Sequence, residues 1–147
     1  MPVRGLDELR AVLGKNLTGA YRYVLASTKD AFGHGITELE FENTRVVIRP
    51  GPNEDYLVVE QGPLDSTSLR PEYWTKVELF KDSGWQLKEV SVFTDGTEDV
   101  ALVFAFRSGQ QFSIVLCDTD VAIGRDLELF ETDPNKIHPV FRTSIAL

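Results

Sequence analysis

The side chains most able to do chemistry in this sequence are carboxylates, which gather in short groups in the second half of the chain. Those that fall in predicted turns are Asp95, Glu98, Asp99, Asp118 and Asp120. Oxygen ligands at such spacing can bind Ca²⁺ or Mg²⁺, but neither group continues into a calcium loop with its central glycine and closing glutamate. We therefore predict no metal site and interpret these carboxylates as a negative patch that binds a basic protein. The alternative is a set of solvated turn residues.

Two histidines and one cysteine are the other candidates for catalysis. His34 lies between two glycines and His138 precedes a proline, so both are expected in loops, and a general base needs a hydrogen-bonded partner. Cys117 ends an apolar run without a neighbouring cation to favour the reactive thiolate, so we expect a buried, slowly reacting thiol. The sequence also lacks nucleotide-binding, zinc-protease and nucleophile-elbow motifs. It predicts a protein without enzymatic activity and without a cofactor.

The aromatic residues support a rival hypothesis. They could line a pocket between a sheet and helices, and the candidates are Tyr21, Tyr23, Tyr56, Tyr73, Trp74 and Trp85. A small-molecule-binding or enzymatic α+β domain is therefore the alternative function. Acidic neighbours such as Glu72 and Glu78 argue against nucleic acid as the ligand, because a nucleic-acid-binding surface combines aromatic with basic side chains.

Two short helices are predicted to flank the first group of strands. Leu6, Leu9 and Leu13 recur at helical spacing before Gly14, which predicts a helix over residues 6–13. Apolar residues recur every third position after Pro71, which favours a second helix over residues 71–82. The alternation of apolar and polar residues over 73–80 leaves a strand open there.

The rest of the chain is predicted to form antiparallel sheet. The predicted strands are residues 20–25, 36–41, 45–48, 56–59, 87–93, 100–106, 112–117 and 121–129, with an edge strand within 138–147. The connections in the second half are too short for parallel crossovers, so consecutive strands must pair antiparallel. The expected core residues there are Leu102, Phe104, Phe106, Phe112 and Ile114.

The length of 147 residues predicts one α+β domain over residues 1–147, mainly antiparallel sheet with two short helices. Two short matches suggest that it consists of two similar halves, residues 1–62 and 71–147. Residues 14–17 match residues 84–87, and residues 39–48 match residues 104–114 with one residue inserted.

The chain is acidic, with a net charge of −8. Residues 1–50 contain seven basic and six acidic residues, whereas residues 51–147 contain eight and seventeen. A negative surface repels nucleic acid and anionic lipid and attracts basic proteins. The apolar runs are far shorter than the ~20 residues of a membrane-spanning helix. With a single cysteine and an N-terminus that lacks an apolar signal core, the sequence predicts a cytoplasmic protein.

The pattern that runs from Asp99 through the apolar strand of residues 100–106 to Asp118 and Asp120 resembles that of bacterial immunity proteins, which are encoded beside polymorphic toxins. This resemblance implies a cytoplasmic, non-enzymatic domain that binds and occludes one toxin. Our hypothesis from the sequence is therefore a protein-binding module, most concretely an immunity protein that neutralises a basic toxin such as a nuclease.

Overall fold

The computed structural model describes residues 3–25, 36–51, 56–63, 74–94, 100–120, 124–130 and 143–147. Within these residues the chain forms one short helix and a ten-stranded sheet. The elements in chain order are β1 (Val3–Arg4), α1 (Leu6–Arg10), β2 (Asn16–Leu25), β3 (Ile36–Phe41), β4 (Thr44–Pro50), β5 (Leu57–Gln61), β6 (Trp74–Thr94), β7 (Val100–Phe106), β8 (Gln111–Asp120), β9 (Gly124–Phe130) and β10 (Thr143–Ala146). The fold is sheet-rich and mostly antiparallel, as predicted, with less helix than predicted. None of the described helical residues forms a segment long and apolar enough to cross a membrane.

The strands lie in the order β1-β5-β4-β3-β2-β6-β7-β8-β9, and β10 pairs with β6. Strands β2 to β5 form a first meander and strands β6 to β9 a second one. The long strand β6 belongs to both parts of the sheet, because its first part pairs with β2 and its last part with β7 and β10. Every described pairing is antiparallel except that of β1 with β5. The predicted meander of the second half is confirmed.

One hydrophobic cluster of the described residues joins the inner faces of the two meanders. Leu39 and Ile48 of the first meander belong to the same buried cluster as Leu102 and Phe104 of the second. The rings of Phe104 and Phe112 stack with their centroids 4.9 Å apart. The five core residues predicted from the sequence are all buried.

The two meanders repeat the same strand registers. The corresponding pairs, with the first meander named first, are Leu17–Phe41 and Leu87–Phe106, Ala20–Leu39 and Val90–Phe104, and Leu39–Val46 and Phe104–Phe112. A bulge follows Leu17 in β2 and Leu87 in β6, at corresponding positions. In these registers β2, β3 and β4 correspond to β6, β7 and β8, while the division into halves 1–62 and 71–147 stays a prediction.

The second predicted helix is wrong over residues 74–82, which belong to β6; residues 71–73 lie outside the described part of the chain. Along Lys76 to Leu79 exposed residues alternate with partly buried ones, so the period is two. The backbone of this segment pairs with β2 from Leu25 to Asn16. Pairing along the whole of β2 outweighs the local helical spacing, because intrinsic propensities differ by only about 1 kcal/mol per residue.

The first predicted helix forms but ends at Arg10, and residues 11–14 continue as a turn. Leu9 and Val12 are buried in the core, so this segment packs against the sheet as its apolar spacing predicted. Gly5 precedes the helix with φ +89°, and a Cβ there would lie 2.0 Å from the carbonyl oxygen of Val59. Only glycine allows the backbone to approach β5 this closely.

Candidate functional site

The acidic residues predicted to bind a partner lie only partly within the described structure. Asp95, Glu98 and Asp99 fall outside the described residues. Asp118 and Asp120 end β8, where they pair with Arg125 and Gly124 of β9, and their side chains fall outside the description.

The strand ends that flank these acidic segments lie together. Thr94, the last residue of β6, pairs with Val100, the first residue of β7. Val100 also pairs with Leu116 of β8, and β8 extends past that pair to Asp118. The two ends of the 95–99 segment and the acidic end of β8 are therefore at the same end of the second meander.

The other predicted candidates do not form a described catalytic site. His34 and His138 lie outside the described residues, and Cys117 lies in β8 with its side chain undescribed. Within the described part of the chain, no group of three or more histidine, cysteine or acidic residues has the geometry to hold a metal ion.

The aromatic residues proposed for a common pocket are distributed over separate places. Tyr21 and Tyr23 lie on the outer face of the first meander, while Trp85 packs edge-on against Phe106 beside the core. Tyr56 lies under the guanidinium of Arg4, 4.3 Å from ring centroid to Cζ. For Trp74 only the backbone is described, and Tyr73 lies outside the described residues.

A different group of side chains comes together on the outer face of the first meander. We call it the tyrosine face, and it consists of Tyr21, Tyr23, Glu38, Glu40, Arg45, Lys76 and Glu78. Its central row runs across five strands, because Glu78 pairs with Tyr21, Tyr21 with Glu38, Glu38 with Val47 and Val47 with Glu60. Since neighbouring strands lie about 4.8 Å apart, this row is about 19 Å long.

The buried carboxylate of Glu38 organises the tyrosine face. Its side chain is only 1% exposed although it points away from the core. Arg45 Nη1 lies 3.0 Å from Glu38 Oε1, and Lys76 Nζ lies 3.7 Å from the same oxygen. Arg45 also pairs with Glu40 through Nη2 at 2.7 Å. A carboxylate removed from water needs such partners, so Glu38 fixes the positions of both cations above it.

Two further contacts hold this arrangement. The ammonium of Lys76 lies 4.3 Å from the ring centroid of Tyr21, within the range of a cation–π interaction. The hydroxyl of Thr18, at the bulge of β2, donates its one proton to the backbone carbonyl oxygen of Glu40 at 3.1 Å or to Glu40 Oε1 at 3.2 Å. The bulge thus directs Thr18 towards Glu40.

Burial and nearby carboxylates raise the pKa values of both tyrosine hydroxyls. Burial raises the pKa of the Tyr21 hydroxyl above its ordinary value, and the charges of Glu40, Glu78 and Glu38 raise it further, against a lowering by Arg45. Burial also raises the pKa of Tyr23, together with the charge of Glu38 and a hydrogen bond to it. At both hydroxyls the carboxylates of this face therefore raise the pKa by more than Arg45 lowers it.

A groove of about 540 Å³ borders the tyrosine face. It lies between the bulge of β2, the turn from β3 to β4 and the end of β5, where Thr18, Glu42, Arg45 and Gln61 contribute polar groups. Phe41 is the aromatic residue in the described lining, so this groove differs from the tyrosine- and tryptophan-lined pocket suggested by the sequence.

Sequence reasoning missed the tyrosine face because its members lie on four strands. The available signal was alternation: Glu38 and Glu40 alternate with apolar residues in β3, and Tyr21 and Tyr23 alternate with Arg22 and Val24 in β2. Alternation assigns each pair to one face of its strand. Only the register between the strands brings the pairs together.

The chain matches no protein-family model, and it has no significant match among curated proteins or solved structures.

Proposed function

We propose that this protein is a non-enzymatic binding module for a basic protein, most concretely an immunity protein that neutralises a basic toxin. The observation that supports this proposal best is the register of the second meander. The ends of the 95–99 segment and the acidic end of β8 lie at one end of the sheet. We expect the carboxylates of these two segments to act together on an approaching partner.

The acidic residues are expected to act mainly on the rate of association. Charge attraction between complementary surfaces speeds diffusional encounter, whereas residence depends on desolvated contacts at the centre of an interface. The partner should therefore be basic, and its association rate should fall as salt screens the charges.

The experiment identifies the partner by affinity capture from the source organism and then measures binding kinetics with the purified pair. Replacing Glu98, Asp99, Asp118 and Asp120 by their amides should slow association at low salt by about tenfold or more. The same replacement should flatten the dependence of the association rate on salt and change the dissociation rate little.

A matched control removes the same number of charges elsewhere on the described surface, at Asp7, Glu8, Glu60 and Glu89. The control should retain most of the association rate, because its charges are not gathered at one sheet end. An acidic partner, or equal slowing by both variants, would contradict the role of the acidic turns. A toxin gene beside the gene for this chain would support the immunity reading.

The groove favours a second candidate function, the binding of a small polar molecule. Its volume of about 540 Å³ is in the range of ligand sites, and hydroxyl, amide and charged groups line it. A thermal-shift screen with small polar metabolites tests this candidate. A stabilising compound should lose its effect in Arg45→Met and Gln61→Ala, and retained stabilisation in both variants would exclude the groove as its site.

A further inference from the structure

The tyrosine face differs from an ordinary solvated sheet surface in how firmly its side chains are held. Glu38 is buried under Arg45 and Lys76, and Lys76 also packs on the ring of Tyr21. Long charged side chains usually lose conformational entropy when a partner binds. Here intramolecular contacts already restrict Arg45 and Lys76, so a partner meets an ordered surface.

The face also retains carboxylates that its own cations do not neutralise. The side chains of Glu42, in the β3–β4 turn, and Glu78, in β6, are exposed and make no ion pair or side-chain hydrogen bond within the described part of the chain. Glu78 pairs with Tyr21 across β6 and β2, and its charge adds to burial in raising the pKa of Tyr21. Glu42 lies beside this face, where it lines the groove with Glu40 and Arg45. A cationic group can therefore pair with Glu42 or Glu78 without competing with Arg45 or Lys76.

The second meander shows that the fold does not require these groups. The pair Tyr21–Glu38 corresponds to Ser91–Val103, and the pair Glu40–Arg45 corresponds to Ala105–Gln111. Those positions keep the same registers with neutral side chains. Strand pairing therefore does not explain why the tyrosine face carries charged and aromatic residues.

We infer that the tyrosine face is a docking surface for a basic protein segment, with Glu78 and the neighbouring Glu42 pairing with arginine or lysine side chains and Tyr21 providing contact area. This inference rests on the proposed basic partner and adds a second surface to the acidic end of the second meander. Charge complementarity identifies the occupant, since exposed carboxylates beside a partly exposed tyrosine fit a cationic side chain with an aliphatic stem.

The test uses hexa-arginine as a probe of the full-length, ¹⁵N-labelled protein. Amide chemical shifts are followed during the titration. The largest changes are expected at Tyr21, Glu40, Glu42 and Glu78, and these changes should saturate as the hexa-arginine concentration rises. Glu42→Gln combined with Glu78→Gln should lower the affinity for hexa-arginine by about three- to tenfold, the effect of losing two exposed ion pairs. Glu8→Gln combined with Glu89→Gln removes the same amount of charge elsewhere and should lower this affinity by less than about twofold.

A substitution without charge change separates docking from long-range attraction. Tyr21→Ser introduces the residue found at the corresponding position of the second meander, so the fold should accept it. This variant should bind hexa-arginine more weakly than the parent protein although its net charge is unchanged. The amide spectrum of the free variant verifies that it is folded.

The outcomes distinguish this surface from the proposed function. Chemical-shift changes confined to the residues around Thr94, Val100 and Asp118 would contradict docking on the tyrosine face, while supporting a basic partner at the acidic end of the second meander. Equal weakening by the Glu42/Glu78 and Glu8/Glu89 variants, or no saturable binding, would also overturn it. In these cases the proposed function is decided separately, by the kinetics with the natural partner.

Discussion

The outer faces of the two meanders have the same backbone registers and opposite chemistry. In the first meander the outer row contains Tyr21 and Glu38 beneath two cations. In the second, the outer residues Ala101, Ser113 and Val115 are 0% exposed and uncharged. Strand pairing and the shared core thus define the inner faces of both meanders, while the outer faces follow different requirements. The centre of the second outer face is buried and uncharged, whereas the first outer face carries charged side chains held by mutual contacts.

The largest expected effect tests whether the two meanders share one core. Phe104 and Leu39 occupy corresponding inner positions, and both are 0% exposed. Phe104→Ala should lower the free energy of unfolding by about 3–5 kcal/mol and Leu39→Ala by about 2–5 kcal/mol, through lost burial and the cavity left behind. Chemical denaturation measures both.

In either variant the whole chain should unfold in one transition, because each cavity opens the same cluster. Tryptophan fluorescence, from Trp74 and Trp85 together, and far-ultraviolet circular dichroism should give the same midpoint. Two separate transitions would contradict a common core and would make each meander an independent unit.

The second effect concerns the outer face of the first meander. Glu38→Gln removes the buried charge between Arg45 and Lys76, and should lower the free energy of unfolding by about 1–3 kcal/mol, the cost of unsatisfied buried polar groups. Both cations are partly exposed, so water limits the loss. Glu60→Gln, at the exposed end of the same row, is the control and should cost about 1 kcal/mol or less. Equal losses in the two variants would show that the burial of Glu38 has no energetic role.

The sequence predicted the second meander well and the first meander's outer face poorly, for the same physical reason. Apolar runs such as residues 100–106 identify buried strands locally, and short connections then determine their pairing. The tyrosine face depends on register between β2, β3 and β6, which are separated along the chain. The same long-range pairing makes residues 74–82 of the predicted second helix a strand, since helical spacing in one segment contains no information about β2.

A third, smaller effect lies on the inner face. Thr37 is 0% exposed among core residues, and its hydroxyl has no hydrogen-bond partner among the residues that the structure describes. The corresponding residue of the second meander is Leu102. Thr37→Val should therefore raise the free energy of unfolding by about 1 kcal/mol, because it removes an unsatisfied hydroxyl at nearly constant volume. Thr44→Val, at a partly exposed position, is the control and should change little. A loss of stability in Thr37→Val would show that the hydroxyl has a bonding role.

The last and smallest effect is the response of the first meander to alkaline pH. The folded-state pKa of Tyr23 is raised above the ordinary value of 10.0, first by burial and then by the charge of Glu38 and the hydrogen bond to it. The folded protein therefore prefers the neutral phenol more strongly than the unfolded chain does. This contribution to stability is fully present below pH 10.0 and is lost as the pH rises through the folded-state pKa, because the unfolded chain releases the proton first.

Tyr23→Phe cannot ionise, so its free energy of unfolding should fall less steeply than that of the parent protein over this alkaline range. Ser91→Ala, on the outer face of the second meander, should keep the parent slope, since no phenol is removed. Denaturation at a series of pH values measures the slopes, and ultraviolet absorbance of tyrosinate follows ionisation directly. Parallel slopes for Tyr23→Phe and the parent would contradict the raised pKa of Tyr23 and its burial against Glu38.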